Sequence, residues 1–233
     1  MSEKALWPGR VLVTGGASGL GAAIVDAVLQ AGGVPVVLDR DITAATASKA
    51  FQVDVSDREA VEEAVREAAV SLNGLDAVVT AAGIDRCGKL ESVSADDWEK
   101  VIAVNLLGTV STVRAALPYL KESRGRVVTV ASTLAKRALP EASAYCASKF
   151  GVLGFTHALA AETAGEIGVT AMIPGGMKTK FFDDRPEQYK PSDDSRLNDP
   201  ANVARAILFV LSQPVGCEVR EMLICHEGEN SWP

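Results

Sequence analysis

The segment VLVTGGASGLG, residues 11–21, contains the pattern that decides the fold. Its first four residues have the apolar, β-branched character of a buried strand, and a helix pattern starts directly after the last glycine. Gly15 permits a tight turn, while Gly19 and Gly21 let backbone amides and the helix N-terminus approach a pyrophosphate closely. A glycine-rich run alone is weak evidence, but this one lies between a strand and a helix. We therefore expect a dinucleotide-binding turn here.

Short strand patterns and longer helix patterns alternate along the rest of the chain. The strand patterns are continuously apolar or nearly so, as expected of parallel strands that are covered on both faces. They lie at residues 11–14, 34–38, 77–80, 126–130, 169–173 and 221–225. This alternation predicts right-handed crossovers and the α/β fold class, with a single Rossmann-type, doubly wound parallel sheet and helices on both faces. Ligands of such sheets bind at the carboxyl ends of the strands.

One dinucleotide-binding domain spanning residues 1–233 is expected, because no repeat, low-complexity segment or linker divides the chain. The least regular stretch is residues 177–198, which is polar and charged and interrupts the alternation after a strand. Long insertions at such positions often cover a binding site. We refer to residues 177–198 as the lid segment.

Composition argues against several kinds of partner. The chain has 23 basic and 30 acidic residues and a formal net charge of −7, whereas nucleic acids and anionic membranes attract basic surfaces. No run reaches the roughly 18 apolar residues of a membrane span, and the N-terminus lacks a secretory signal pattern. The four cysteines are irregularly spaced, which argues against a disulfide framework and against a metal site. Free thiols in a reducing, cytoplasmic environment are therefore expected.

Asp39 ends the second strand pattern, 18 residues after Gly21. A carboxylate at this place can accept hydrogen bonds from both hydroxyls of an adenosine ribose and would repel a 2′-phosphate, which favours NAD over NADP. Arg40 keeps NADP open as the alternative, because its guanidinium could pair with a 2′-phosphate if Asp39 turned aside.

Tyr145 and Lys149 are four residues apart in a helix pattern, so both project from the same face about one turn apart. An ammonium close to a phenol favours the phenolate. We therefore expect the lysine to lower the pKa of Tyr145 from its ordinary value of about 10 toward neutrality. Such a group suits general acid and base catalysis.

Several motifs, in order along nearly the whole chain, resemble those of the short-chain dehydrogenase/reductase family. They are the glycine turn from Thr14 to Gly21, Asp54-Val55, Asn105, Ser132, Tyr145 with Lys149, and Pro174-Gly175 with Thr179. The resemblance implies an NAD(P)-dependent oxidoreductase that interconverts a secondary alcohol and a ketone by hydride transfer.

The resemblance also implies a role for each of these residues. Tyr145 would be the catalytic acid/base, Lys149 would hold the nicotinamide ribose and keep the tyrosine acidic, and Ser132 would bind the reacting oxygen. Asn105 would hold a water that links Lys149 to solvent. Asp54 and Val55 would flank the adenine, and Ile173 and Thr179 would hold the carboxamide. The other cofactor contacts would come from Gly15, Ser18, Gly19, Leu20, Gly21, Ala81, Ala82, Gly83, Pro174 and Gly175.

Two features depart from the family pattern. Only a short segment separates Asp39 from Asp54, which leaves room for a brief helix around residues 44–50 and a stub of a third strand. Ala81-Ala82-Gly83 stands where the family has Asn-Ala-Gly, so a side-chain amide that ties adjacent strands is missing. Cofactor binding and activity are expected to survive both changes.

The substrate is expected to be a small alcohol or ketone that contacts the loops after the strand ends. Charged residues in those loops, among them Asp85, Arg86 and Lys136, favour a hydroxylated or charged molecule. The five acidic residues of the lid segment suggest an amino sugar or aminocyclitol. The general acidity of the protein is a simpler account of the same residues.

Two other functions stay open. A dinucleotide-binding sensor would need no acid/base set, and an epimerase or dehydratase would form product without a net change in NADH. The resemblance further implies a homotetramer or homodimer, formed through the helix patterns at residues 98–120 and 143–164. Residues 227–233, including Trp232, are expected to cover the active site or a neighbouring subunit, or to fray.

Overall fold

Seven parallel strands form one sheet in a computed structural model of the chain, which describes residues 8–191, 193–229 and 231. The strands are β1 (Arg10–Thr14), β2 (Val34–Asp39), β3 (Lys49–Gln52), β4 (Ala77–Thr80), β5 (Arg126–Val130), β6 (Gly168–Pro174) and β7 (Glu221–Ile224). Their order across the sheet is β3-β2-β1-β4-β5-β6-β7, and each neighbouring pair is parallel. The Rossmann-type, doubly wound sheet is confirmed. Trp232 and the prediction attached to it lie outside the described residues.

Helices cover both faces of this sheet. They are α1 (Gly19–Gln30), α2 (Arg58–Leu72), α3 (Ala95–Ile102), α4 (Gly108–Ser123), α5 (Ser143–Glu162) and α6 (Pro200–Leu211). Alternate residues of each strand point to opposite faces. On β1, Leu12 packs into the core beneath α2, α4 and α5, whereas Val11 and Val13 pack into the core beneath α1 and α6. Burial on both faces explains why the central strands have continuously apolar sequences.

The strand order reverses at β1, which has β2 on one side and β4 on the other. Connections from these strands leave toward opposite faces, so a crevice opens at their carboxyl ends. Thr14 ends β1 and Thr80 ends β4, and the two residues are paired in register. The glycine turn and the loop after β4 therefore face each other across this crevice.

The edge of the sheet beyond β2 differs from the sequence prediction. The helix expected around residues 44–50 is wrong, because β3 already begins at Lys49 and only a turn precedes it. Asp41 accepts hydrogen bonds from the amide and hydroxyl of Thr43, which closes this turn. The segment between β2 and β3 is too short to lay a helix on the sheet and return.

The lid segment contains three short 3₁₀ turns, at Lys180–Phe182, Glu187–Tyr189 and Asp194–Arg196. Its two ends are tied together by a parallel bridge between Met177 and Asn198, with the Lys178 amide donating to the Asn198 carbonyl at 2.9 Å. The segment thus leaves the sheet and returns to the same place, next to the end of β6.

One continuous helix, Ala95–Ser123, is formed by α3, a π-helical turn at Ala103–Leu107, and α4. By length and composition alone it is apolar enough to cross a membrane, so the prediction that no stretch reaches that length is wrong. Its apolar character has a structural reason, because Val101, Val113 and Leu120 are fully buried in the protein. The expected lack of membrane contact stays a prediction.

Candidate active site

Tyr145 and Lys149 lie on α5, and both reach the carboxyl end of β5. Lys149 is 4% exposed; its Nζ donates a hydrogen bond to the Val130 carbonyl at 2.8 Å and lies 5.6 Å from the centre of the Tyr145 ring. Burial lowers the pKa of Lys149 to about 8. The predicted juxtaposition of the two side chains is present in the structure.

The pKa of Tyr145 does not behave as the sequence predicts. Burial raises it above its ordinary value of 10, and this effect outweighs the lowering by the Ser132 hydrogen bond and by the charge of Arg185. The charge of Asp85 raises the pKa of Tyr145 further. The prediction of an acidic phenol is wrong for this structure, in which Tyr145 is protonated at neutral pH.

Ser132 follows β5 and begins the 3₁₀ turn Thr133–Ala135. Its hydroxyl accepts the amide of Leu134 at 3.1 Å, which fixes the side chain, and the residue is buried. The hydrogen bond that Ser132 makes to the Tyr145 phenol places the two hydroxyls on one side of the site. A carbonyl or alcohol oxygen between them could contact both.

Asn105 lies in the π-helical turn and is almost completely buried. Its Oδ1 accepts the amide of Ile84 at 2.8 Å, and its Nδ2 donates to the Ile84 carbonyl at 2.9 Å and to the Ser148 hydroxyl at 3.0 Å. Both donors of the side chain are therefore used. Any water held by Asn105 has to bind its oxygen atoms. The π-helical turn, a feature often found at functional sites, is what aims this residue at the loop after β4.

The glycine turn between β1 and α1 leaves no room for side chains. Gly15 has a positive φ of 69°, and a Cβ there would lie 2.8 Å from the Ala82 Cα; a Cβ on Gly21 would lie 2.0 Å from the Gly15 carbonyl oxygen. Leu20 is buried beneath the turn, while Ser18 is exposed and its side chain caps nothing. The exposed helix start offers backbone N–H groups to an anion, as the sequence predicts.

Asp39 stands at the end of β2, beside the glycine turn. Its Oδ2 accepts the amide of Ala17 at 3.0 Å and its Oδ1 accepts the amide of Asp41 at 3.1 Å. The carboxylate is thus fixed where a ribose would lie next to the turn. Arg40 is exposed, and its carbonyl accepts a hydrogen bond from Gln52 at the outer edge of the sheet.

The loop Ala81-Ala82-Gly83 runs past both halves of the site. The amide of Ala82 donates to the Thr14 hydroxyl at 3.2 Å. A Cβ on Gly83 would lie 3.4 Å from the Asn105 Oδ1 and 3.7 Å from the Lys149 Nζ. The loop therefore connects the glycine turn to Asn105 and Lys149, and the Thr14 hydroxyl supplies a link between β1 and the loop after β4, where the asparagine of the resembled pattern is absent.

Asp54 and Val55 are held by other parts of the protein. Partial burial raises the pKa of Asp54, but hydrogen bonds from Ser56 and the ion pair with Lys100 outweigh this and lower it to about 2. The Lys100 Nζ lies 2.9 Å from the Asp54 carboxylate. Val55 is buried against Gly108. The Asp54 carboxylate is thus engaged with protein groups, and contact with an adenine stays a prediction for both residues.

The end of β6 supplies main chain rather than side chains. Ile173 is fully buried among apolar residues, so only its backbone could contact a carboxamide. Pro174 is also buried, and the Gly175 amide donates to the Ile224 carbonyl of β7 at 2.9 Å. Thr179 is the exception, since its side chain lies in van der Waals range of a Cβ placed on Gly19. The start of the lid segment thus meets the glycine turn.

Two contacts in the lid segment have no precursor in the sequence patterns. The Phe181 ring packs against the Tyr145 ring with their centres 5.7 Å apart, and the Arg185 guanidinium pairs with Asp85 at 2.6 Å. A third contact comes from the C-terminal residues, where the Glu229 carboxylate accepts the Gly176 amide at 2.9 Å. No periodic pattern marks these positions, because each contact depends on the path of an irregular segment.

The charge of the lid segment corrects one expectation. Besides its five acidic residues it contains five basic ones, because Lys178 and Lys180 add to Arg185, Lys190 and Arg196. The acidic excess that suggested an amino sugar is therefore not present. Charges in the neighbouring loops are also paired, Arg86 with Asp97 and Lys136 with Glu221.

The residues at this edge fit a dinucleotide. A turn closed to side chains opens onto a helix N-terminus, a fixed carboxylate stands at the end of β2, and a buried lysine lies beside a tyrosine and a serine. A ribose, a phosphate and a reacting carbon would each find a suitable group, in the order in which β2, β1 and β5 lie across the sheet.

Comparison with known proteins identifies the family. Residues 9–190 match the family described as short chain dehydrogenase. An uncharacterized oxidoreductase of Staphylococcus aureus strain MW2 is 32% identical over 224 residues, which cover 91% of this chain and 95% of that protein. The chain therefore belongs to the short-chain dehydrogenase family, and it is an NAD(P)-dependent oxidoreductase.

Solved structures agree with this assignment. A short chain dehydrogenase from Burkholderia cenocepacia in complex with NADP superposes with a TM-score of 0.83 at 28% identity, over 96% of this chain and 98% of that one. The ligand-free aldohexose dehydrogenase of Thermoplasma acidophilum also gives a TM-score of 0.83, at 26% identity over 94% and 93% of the two chains. The fold thus occurs in enzymes of this kind.

Proposed function

We propose that the protein interconverts a secondary alcohol and a ketone in a small polar substrate, with Tyr145 as the acid/base. The observation that carries this proposal is the grouping of Tyr145, Ser132 and Lys149 around the carboxyl end of β5, with Gly83 next to the lysine. Bound NAD(P) supplies the hydride acceptor or donor. The protein supplies the proton, the contact to the reacting oxygen and the exclusion of water.

The protonation states favour ketone reduction as the direction in which the site is ready. Burial raises the pKa of Tyr145, so the phenol carries the proton that a ketone oxygen must receive. Ser132 would hydrogen-bond the same oxygen and stabilise the charge that develops on it. In the oxidation direction the phenol first has to lose its proton, and the nearby Lys149 ammonium favours that loss when it is charged.

Lys149 and Asn105 would restore the proton. The pKa of Lys149, lowered to about 8 by burial, lets this group give and take a proton close to neutral pH. A water on the oxygen atoms of Asn105 would continue the path, because both side-chain donors are already engaged. This path is part of the proposal and requires that Asn105 and Lys149 act in sequence.

The cofactor preference proposed is NAD. Asp39 supports it, since its carboxylate is fixed beside the glycine turn and would repel a 2′-phosphate. NADP is the alternative cofactor, because the similar short chain dehydrogenase from Burkholderia cenocepacia is in complex with NADP. Titration of the protein with NADH and with NADPH compares the two affinities, and tighter binding of NADPH would contradict the proposed preference. Asp39→Asn is expected to reduce the difference between the affinities for NADH and NADPH.

A hydroxylated substrate fits the site better than a charged one. Asp85, Arg86 and Lys136, which were expected to meet the substrate, are each paired with another residue of the protein, and the lid segment has no charge excess. The aldohexose dehydrogenase neighbour supports a sugar or polyol.

A mutant pair tests the mechanism. Tyr145→Phe is expected to bind NADH as the unmodified protein does and to lose nearly all turnover in a screen of aldoses, polyols and hydroxyketones with NAD and NADP. Tyr119→Phe, on α4, is the matched control and should keep full activity. Substantial turnover by Tyr145→Phe would refute the assigned acid/base. Firm NADH binding with no turnover of any compound would favour the sensor, and product without net NADH change would favour the epimerase or dehydratase.

Assembly and location complete the proposal. A homodimer or homotetramer formed through residues 98–120 and 143–164 is supported by Leu107 in the π-helical turn and Phe150 on α5, large apolar side chains that are about half exposed. Cytoplasmic location is supported by the four cysteines, which are all free. Sedimentation of the purified protein, and of a Phe150→Glu variant, tests the assembly.

A further inference from the structure

A buried ion pair joins the lid segment to the loop after β4. Arg185 Nη2 lies 2.6 Å from Asp85 Oδ2, and the two side chains are only 17% and 2% exposed. Asp85 also accepts hydrogen bonds from the amide of Arg86 and the thiol of Cys87. These two bonds hold its carboxylate independently of the lid segment. The adjacent residue Ile84 is tied to Asn105 through both of its backbone groups. Arg185 is thus anchored to a rigid part of the molecule.

The same guanidinium organises the aromatic side chains of the lid segment. The Arg185 Cζ lies 5.3 Å from the centre of the Phe181 ring and 4.6 Å from that of Phe182, in range of cation–π contacts. The two phenyl rings meet edge to face at 5.5 Å. Phe181 in turn lies against Tyr145, with an angle of 59° between the rings. A continuous series of contacts therefore leads from Asp85 through Arg185 and Phe181 to the phenol.

We infer that Arg185 is a positioning residue for the proposed reaction: its ion pair with Asp85 holds the lid segment over the site and keeps Phe181 against Tyr145. The expected effect on KM rests on the proposed function, whereas the expected closure of the lid segment does not. Removing either charge would leave the other buried without a partner, and the lid segment can relieve this by opening to water. An open lid segment would admit water and lose its contact with the substrate.

Limited proteolysis tests the inference without a substrate. We expect chymotrypsin to cleave after Phe181 and Phe182 mainly when the lid segment is open, because in the closed arrangement both rings are held in contacts. Asp85→Asn is the cleanest variant because it lies about a hundred residues away and leaves the cleaved sequence unchanged. We expect initial cleavage of this variant to be at least about tenfold faster, because opening no longer breaks an ion pair. Cleavage within about twofold of the unmodified protein would overturn the inference.

Three further variants keep the result interpretable. Arg185→Gln should behave like Asp85→Asn, whereas the exchange Asp85→Arg with Arg185→Asp should restore most of the protection. Glu187→Gln is the matched control, since it breaks an exposed ion pair with Lys190 inside the lid segment and should change nothing. Cleavage at Tyr119 in α4 reports global unfolding, so faster cleavage there as well, or no protection by the exchange, would count against a local role.

Kinetics then separate positioning from simple stabilisation. With any alcohol or ketone that the screen identifies, Asp85→Asn and Arg185→Gln should raise KM by about tenfold, with a smaller change in kcat and with NADH affinity unchanged. Equal loss of NADH affinity would show a general defect and contradict the inference. If the screen finds no substrate, the proposed function fails while the proteolysis result still decides whether the ion pair closes the lid segment.

Discussion

The Lys149 ammonium donates to the carbonyl of Val130, and this carbonyl is its only hydrogen-bond acceptor among the described residues. Val130 ends β5, two residues before Ser132, so one peptide group connects the lysine to the strand that presents the serine. A buried cation with a neutral acceptor and no carboxylate is energetically unfavourable. The site therefore holds a charge that reduces the stability of the fold.

Replacing that charge should stabilise the protein and inactivate it. The pKa of Lys149 falls from 10.5 to about 8, a shift that corresponds to about 3 kcal/mol. Lys149→Met keeps the side-chain volume but gives up the hydrogen bond to Val130, so we expect a net gain of about 2 kcal/mol at pH 7. Urea unfolding measures the free energy, and a variant less stable than the unmodified protein would contradict the prediction.

The same variant has a defined pH dependence. The folded-state pKa of Lys149 lies below its unfolded value, so the cost of burying the proton is fully present below pH 8 and disappears as the pH approaches 10.5. The stability advantage of Lys149→Met should shrink steadily across this interval. Urea unfolding of both proteins between pH 7 and pH 10 measures this trend, and an advantage that does not change with pH would contradict it.

The glycine turn and a helix glycine should respond oppositely to alanine. Gly21→Ala places a Cβ 2.0 Å from the Gly15 carbonyl oxygen, so the turn must move; we expect a loss of at least about 2 kcal/mol and of NADH binding. Gly154→Ala, inside α5, meets nothing within 4 Å and should gain about 0.5 to 1 kcal/mol. Thermal unfolding and NADH titration of both variants test this prediction. Equal changes in Tm and in NADH affinity for the two variants would contradict it.

Asn105 has a structural task besides its proposed catalytic one. Asn105→Ala leaves the amide and carbonyl of Ile84 and the Ser148 hydroxyl without this partner, and we expect it to cost about 2 to 3 kcal/mol. Asn202→Ala, which removes a hydrogen bond to Asn198 at the start of α6, should cost less than about 1 kcal/mol. Denaturant unfolding of the two variants compares them; equal costs would mean that the Ile84 contacts add little.

The ion pair of Asp54 and Lys100 should contribute only above acid pH. Hydrogen bonds from Ser56 and this pair outweigh partial burial and lower the pKa of Asp54 from 3.8 to about 2, so the stabilisation is present above pH 4 and lost as the pH falls toward 2. Because both side chains are more than a third exposed, Lys100→Met should cost less than about 1 kcal/mol at pH 7. Unfolding at pH 7 and pH 2 measures the difference, and an unchanged cost at pH 2 would point to packing instead.

The buried strands were predictable because burial on both faces imposes a continuous apolar sequence. The ends of β4 and β5 match the predicted residues, β2 is one residue longer at its end, and β6 is one residue longer at each end. The bounds of β3 were not predictable, because it is a partly exposed edge strand with polar ends, Lys49 and Gln52. Its short connection from β2 also excluded the helix that a standard crossover would contain.

The site was predictable where it depends on strand ends. Ser132, Asp39 and the glycine turn lie at strand ends as predicted, because parallel strands bring their carboxyl ends to one edge. The protonation of Tyr145 was not, since burial is a property of the folded molecule and here it outweighs the neighbouring charges. The contacts of Phe181 and Arg185 were also missed, because the lid segment has no period from which its path could be read.

The π-helical turn sets the phase between the two halves of the long helix. An extra residue in such a turn rotates everything before it by about 100° relative to a regular helix. With that residue in place, Asn105 reaches Ile84 while the Trp98 indole still donates to the Ser143 hydroxyl of α5. A chain one residue shorter at Ala103–Leu107 would have to give up one of these contacts, so deletions at this point should be tolerated far less well than substitutions.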